Sequence, residues 1–180
     1  PIQSKFIKFP WLKDKTNLLT WKHGKTGIPI VDAGMKELYE MGWMHNRVRM
    51  IVGSFLTKNL LLHWKEGERW FFDTLVDADI GSNSAGWQWI SGSGADASPY
   101  FRIFNPILQG KKFDPRGEYV KKFLPSLNKI PEKFIHSPWE MTIDEQEKYN
   151  FKLGRDYPKP IVDLSDTRKR ALAAFKKISV

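Results

Sequence analysis

Cysteine is absent from the 180 residues, which excludes disulfides and thiolate metal sites and makes a cytoplasmic, intracellular address the natural expectation. Histidine is scarce. His23, His45, His63 and His136 show no ligand-type spacing such as HxxxH, so no metal site is expected. No apolar run approaches the ~20 residues of a membrane span, and no signal peptide is legible, so no membrane partner is expected. An initiator methionine is also lacking: the chain starts at Pro1 and reads as part of something longer.

What is present is aromatic and basic. Hydrophobic residues make up 41% of the chain, enough for one domain with a real core. Eight tryptophans and twelve phenylalanines exceed what a small core needs; such rings serve as core filler or as stacking platforms. The net charge of +9 favours an anionic partner such as nucleic acid, against the plainer reading of a solvated lysine-rich surface. Clustering is partial: Lys111, Lys112, Arg116, Lys121 and Lys122 form one group, and Arg168, Lys169, Arg170, Lys176 and Lys177 another.

Periodicity points to an all-α class, with no repeat and no convincing strand pair. Residues 1–26 are basic and broken by Pro10. TGIPIVDAGMKELYEMGW reads as a helix with Pro29 in its first turn and Gly42 at its stop. A second helix spans roughly His45 to His63 with a wide apolar stripe, and its first turn carries Asn46, Arg47 and Arg49. A third runs near Glu66 to Leu75. An acidic, glycine- and serine-rich turn around Ala78–Ala85 follows, then a short helix around Gly86–Ile90. SGSGADASP is loop by composition. A turn and a short helix ending before Pro125 come next, then an irregular, proline-rich stretch over 125–164. A last helix has Ser165 as its expected N-cap.

The most informative stretch is VDADIGSNSAGWQW, from Val76 to Trp89. It sets two carboxylates beside a flexible turn and two tryptophans. A carboxylate beside so much aromatic surface needs a polar or cationic partner. Either a flat, hydrogen-bonding heteroaromatic ligand or an arginine from elsewhere would serve. Asn46, Arg49 and Met50 share a helix face and suggest a site floor, although on their own capping and ordinary surface polarity are the simpler explanation. Asp77 and Asp79 can aim into one cavity, or cap a following helix.

In order, TGIPIVDAGM, GWMHNRVRM, SFLTKNLLLHW, VDADIGSNSAGWQW and YFRIFNP resemble the flavin-binding domain of the photolyase and cryptochrome family, from about Trp11 to the C-terminal helix. The resemblance implies a helical domain that holds FAD. It also implies that residues 1–180 are only part of that domain. The antenna domain with its chromophore, and the first part of the helical domain with its phosphate-gripping loop, are expected to lie outside this chain. The isolated fragment is therefore expected to be inactive.

Residue by residue, Trp43, Asn46 and Arg49 match positions lining the flavin pocket. Asp77, Ala78 and Asp79 match the segment bonding the isoalloxazine edge, with Arg49 as a partner for Asp77 in a pocket largely closed to water. Asn83 matches the residue facing flavin N5, where its amide could donate or accept. Trp87, Trp64 and Trp11 match the family's electron-transfer chain from flavin to surface, a role compatible with their being core residues. Asn46, Arg47, Met50, Trp89, Arg102 and Gln109 match or neighbour its DNA-binding surface.

Asn46 and Met50 stand where enzymes acting on (6-4) photoproducts carry histidine. Asn83, Trp89 and the absence of a long tail point to a class I cyclobutane pyrimidine dimer photolyase. Such an enzyme is a carbon–carbon lyase that uses photoexcited reduced FAD to repair damaged DNA, and is expected to act as a monomer. Two rivals are a cryptochrome-type blue-light photoreceptor and a basic, aromatic-rich nucleic-acid binder without flavin.

Overall fold

The computed structural model describes residues 3–94, 96–100 and 102–179; Ala95 of the SGSGADASP loop and Phe101 of YFRIFNP lie outside the described residues. Its α-helices are α1 Lys15–Lys22, α2 Pro29–Met41, α3 Asn46–Ser54, α4 Trp64–Thr74, α5 Ile80–Ser91, α6 Pro106–Phe113, α7 Glu118–Phe123, α8 Ile143–Lys148 and α9 Leu164–Ile178. Among the described residues, strand pairing is limited to two isolated bridges, Leu12 with Leu62 and Leu153 with Tyr157. The fold is all-α.

α2 forms as its sequence dictates. Pro29 occupies the first turn, where a missing N–H is no loss, and Gly42 stops the helix in the left-handed region at φ 63°. Its apolar side, with Val31, Met35 and Leu38 all buried, packs against α3. Each fully buried aliphatic chain of this size contributes roughly 1.5–3 kcal/mol of transfer free energy. α3 is flanked by α2 and α5, α4 backs α5, and α7 covers another side of α2.

The second helix does not run unbroken to His63. After Ser54 the chain widens into a π turn, Phe55–Asn59, whose end is marked by Leu60 N–H donating to the Phe55 carbonyl at 2.9 Å. Leu61 then turns at φ 55° and ends the element. Lys58 and Asn59 of this turn are buried, as is every residue from Ile51 to Leu62.

Three further expectations change. The stretch Ala78–Ala85 is not mostly turn: α5 begins at Ile80, with Asp79 accepting from the Ser82 N–H at 2.7 Å as its N-cap. Glycine and serine are poor helix formers, so this helix owes its stability to packing of Trp87 and Ile90 rather than to propensity. The last helix is capped by Asp163, which accepts from the Asp166 N–H at 2.8 Å; Ser165 is its second helical residue. The stretch 125–164 is a chain of 3-10 turns, but it also holds α8, started by a capping box between Thr142 and Glu145. α1 and α6 are additional short helices, capped by Asp14 and Asn105.

Candidate functional site

A cavity of about 570 Å³ opens between the first turn of α3, the end of α4, the turn 75–79 and α5. The turn is held by main-chain and charged contacts to the stretch that links α2 to α3. Val76 N–H donates to the Gly42 carbonyl at 2.8 Å. Arg49 Nε donates to the Met44 carbonyl at 2.6 Å, while one terminal nitrogen reaches both Asp77 oxygens at 3.2 and 3.0 Å. Arg49 is therefore fixed in place and orients Asp77 toward the cavity rim.

The expected Arg49–Asp77 pair is present, but it is not shut away from water: the side chains are 27% and 49% exposed. Asp79 has a double function. One oxygen caps α5, and the hydrogen bonds from Ser82 hold its carboxyl below the usual carboxylate range. Its second oxygen is left for another donor.

The floor is aromatic. Trp87 is buried, with Phe71 edge-on at a centroid distance of 4.9 Å and Trp21 edge-on at 6.1 Å. Two glycines let neighbouring backbones reach this ring. A Cβ at Gly67 of α4 would lie 2.2 Å from it, and one at Gly53 of α3 3.3 Å. Met50 and Trp89, the latter 39% exposed, stand among the lining, as do Asn46, Ala78 and Asn83. Asn83 donates one amide N–H to the Glu68 carbonyl at 2.8 Å. Its second N–H and its oxygen remain, so it can meet either an acceptor or a donor of a ligand.

Several residues singled out in the sequence lie elsewhere. Trp43 is exposed, edge-on to His45, and outside the cavity lining. Arg47 stacks over the Phe113 ring at 4.7 Å, which brings it beside Lys111 and Lys112 at the end of α6. Gln109 is half-buried on α6 and its carbonyl oxygen has no hydrogen-bond partner. Arg102 is exposed in the loop before α6.

Trp64 is buried and Trp11 half-buried, and the His63 ring sits between them at 5.5 and 5.2 Å from their centroids. Sequence reasoning passed over Phe71, Trp21, Gly67 and His63. The i, i+3, i+7 stripe Trp64, Gly67, Phe71 on α4 is the signal that could have found two of them.

The arrangement suits a flat heteroaromatic ring. Apolar surface lies beneath it, and at one edge stand a guanidinium, two carboxylates and an amide oxygen. Among the described residues no group of three His, Cys, Asp or Glu side chains could hold a metal ion. No helix of the described residues is long and apolar enough to cross a membrane.

Comparison with known proteins agrees with this geometry. The family model for the FAD binding domain of DNA photolyase matches residues 1–177. The deoxyribodipyrimidine photo-lyase of Agrobacterium fabrum is 57% identical over 173 residues, covering 96% of this chain and 36% of the relative. Cryptochrome-2 of Arabidopsis thaliana is 49% identical over 165 residues, covering 92% and 27%. The crystal structure of a bacterial class III photolyase from Agrobacterium tumefaciens superposes with a TM-score of 0.95 at 56% identity, covering 98% of this chain and 37% of that one. The chain thus spans about a third of the length of these relatives.

Proposed function

The chain belongs to the FAD-binding domain family of DNA photolyase, and on that premise we propose that its whole protein repairs cyclobutane pyrimidine dimers in DNA under light. The observation that carries this reading is the joining of three things in one cavity: a polar edge, a tryptophan floor and an exposed Trp89 at the mouth. Bound, reduced FAD would supply a light-driven electron that opens the dimer's ring and then returns.

The residues present fit that cofactor. Arg49, oriented by the Met44 carbonyl and paired with Asp77, would hold a cation at the ring edge, and Asp77 and Asp79 would offer acceptors for ring N–H groups. Asn83, held through one N–H by the Glu68 carbonyl, would offer the ring its oxygen or its second N–H, and a carboxylate there would instead repel an anionic ring. Trp87 gives the polar edge a water-poor backing. Trp87, Trp64 and Trp11 supply oxidisable rings from the cavity floor toward the surface, with His63 bridging the outer pair.

Asn46, Met50 and Trp89 would receive the lesion. Flipping a damaged pyrimidine out of the duplex costs a few kcal/mol, least where the lesion already distorts the stack, and Trp89 offers the extruded bases a platform. Arg47, with Lys111 and Lys112 nearby, supplies positive charge for the phosphates. A cryptochrome-type photoreceptor is the second reading, supported by the similarity to plant cryptochrome and to the structure of a Synechocystis cryptochrome, with a TM-score of 0.89 at 40% identity.

The test is repair of a dimer-containing oligonucleotide by the whole protein under blue light. Repair is expected, and Trp89→Ala should weaken binding of the lesion by about 1–3 kcal/mol per lost base stack. Flavin-loaded protein that leaves the dimers intact would favour the photoreceptor.

A further inference from the structure

Lys58 lies outside the cavity, yet it is the least ordinary residue of the fold. It stands on the π turn with 0% of its surface exposed. Its ammonium donates to the main-chain carbonyls of Tyr100 at 3.0 Å and Arg102 at 3.3 Å, and lies 4.6 Å from the centre of the Tyr100 ring. Among the described residues no carboxylate forms an ion pair with it. Burial pushes its ammonium down to about 7.

A buried cation without a counter-charge works against stability, and an apolar chain of similar length would fill the same slot at less cost. What methionine or leucine could not do is hold two carbonyl oxygens. The same helix supplies a third tie, since Ser54 Oγ accepts from the Phe104 N–H at 3.2 Å. From the other side the Tyr100 ring stacks on Phe175 at 4.6 Å, nearly parallel. Tyr100, Arg102 and Phe104 are thus pinned to the core on alternate residues, and the pinned chain leads through the Asn105 cap into α6. Of these three residues Arg102 is the exposed one.

We propose that Lys58 is a positioning residue for nucleic-acid binding: its buried amino group clamps the Tyr100 and Arg102 carbonyls so that a pre-ordered main chain presents the Arg102 guanidinium to a phosphate of the bound strand. This rests on the reading of Arg102 as a DNA contact. Every residue from Ile51 to Leu62 is buried, so a lysine on this segment has no solvent-facing side and must find its partners inside. Ordering beforehand the main chain that carries the arginine removes part of an entropic cost that binding would otherwise bear.

The experiment compares Lys58→Met, Lys58→Gln, Arg102→Ala and the Lys58→Met/Arg102→Ala double variant in the whole protein. Lys58→Met is expected to unfold at the same temperature as wild type or higher. Its affinity for a dimer-containing duplex is expected to fall about tenfold, and the slope of log affinity against log salt to drop by about one, as for Arg102→Ala. The double variant should bind no more weakly than the worse single one, because both remove the same contact. Lys58→Gln, which keeps donors for the carbonyls, should lie between, and also reports if the methionine variant does not fold. Without DNA, limited proteolysis after α5 should be faster in Lys58→Met.

Unchanged proteolysis and unchanged affinity in a folded Lys58 variant would overturn the clamp. So would fully additive losses, since they would mean that the two residues act separately. If Arg102→Ala alone leaves DNA affinity untouched, the reading of Arg102 fails. Faster cleavage of Lys58→Met would then still support the clamp on the main chain, and unchanged cleavage would remove it.

Discussion

A single methyl group at Gly67 probes the packing on which the cavity floor depends. The Cβ of alanine would lie 2.2 Å from Trp87 Cη2 and 2.5 Å from Cζ2 and Cζ3, against ordinary contact from 3.4 Å outward. The indole is rigid, and Phe71, Trp21 and the Gly53 backbone surround its other sides. Relief therefore requires α4 and α5 to separate or the ring to tilt into the cavity. Overpacking of this kind costs about 1–3 kcal/mol. Alanine in place of glycine inside a helix recovers about 1 kcal/mol.

The clash should win, because the obstruction is a fixed ring rather than the end of a flexible chain; that places it in the upper part of the overpacking range, about 2–3 kcal/mol, and leaves a net loss of about 1–2 kcal/mol. Because the relatives are about three times the length of this chain, each kcal/mol shifts Tm of the whole protein by only ~1 °C, and Tm should fall by about 1–2 °C. Thermal unfolding followed by circular dichroism reads this, Trp87 emission should shift, and flavin affinity should drop with the displaced floor. Gly86→Ala is the control. Its Cβ meets nothing within 4 Å, so helix propensity acts alone and stability should rise by up to about 1 kcal/mol. A Gly67→Ala protein as stable as wild type, with unchanged emission, would refute the reasoning.

Arg49→Met should cost only about 0–1 kcal/mol of stability, since the Asp77 pair is half-open to water, while flavin titration should show markedly weaker binding. Asp32 is buried, and burial outweighs the hydrogen bonds from Thr26, Gly27 and Tyr157 to raise its carboxyl to about 6. The folded state therefore holds this proton more tightly than the unfolded state. The resulting stabilisation is full below the ordinary value of 3.8 and lost as pH rises through about 6, and Asp32→Asn should flatten that part of a denaturation profile. Trp64→Phe should keep the fold and slow photoreduction of oxidised FAD, while repair from already reduced FAD continues; equal photoreduction in both proteins would remove Trp64 from the relay.

The sequence by itself determined the all-α class, the position of α2 between Pro29 and Gly42, the apolar stripe of α3, and the grouping of Asn46, Arg49 and Met50 on one helix face. These depend on local periodicity and on residues whose backbone preferences are strong. Only the tertiary structure decided that the glycine- and serine-rich stretch from Ile80 is helical, because its propensity is weak and α4 and α3 supply the packing. It also decided that Lys58 turns inward. Lysine is almost always a surface residue, and only the packing around residues 51–62 shows that every face of this segment is covered. The same holds for the half-open Arg49–Asp77 pair: a pattern of residues tells which groups can meet, but how much water reaches them depends on which surfaces fold over them.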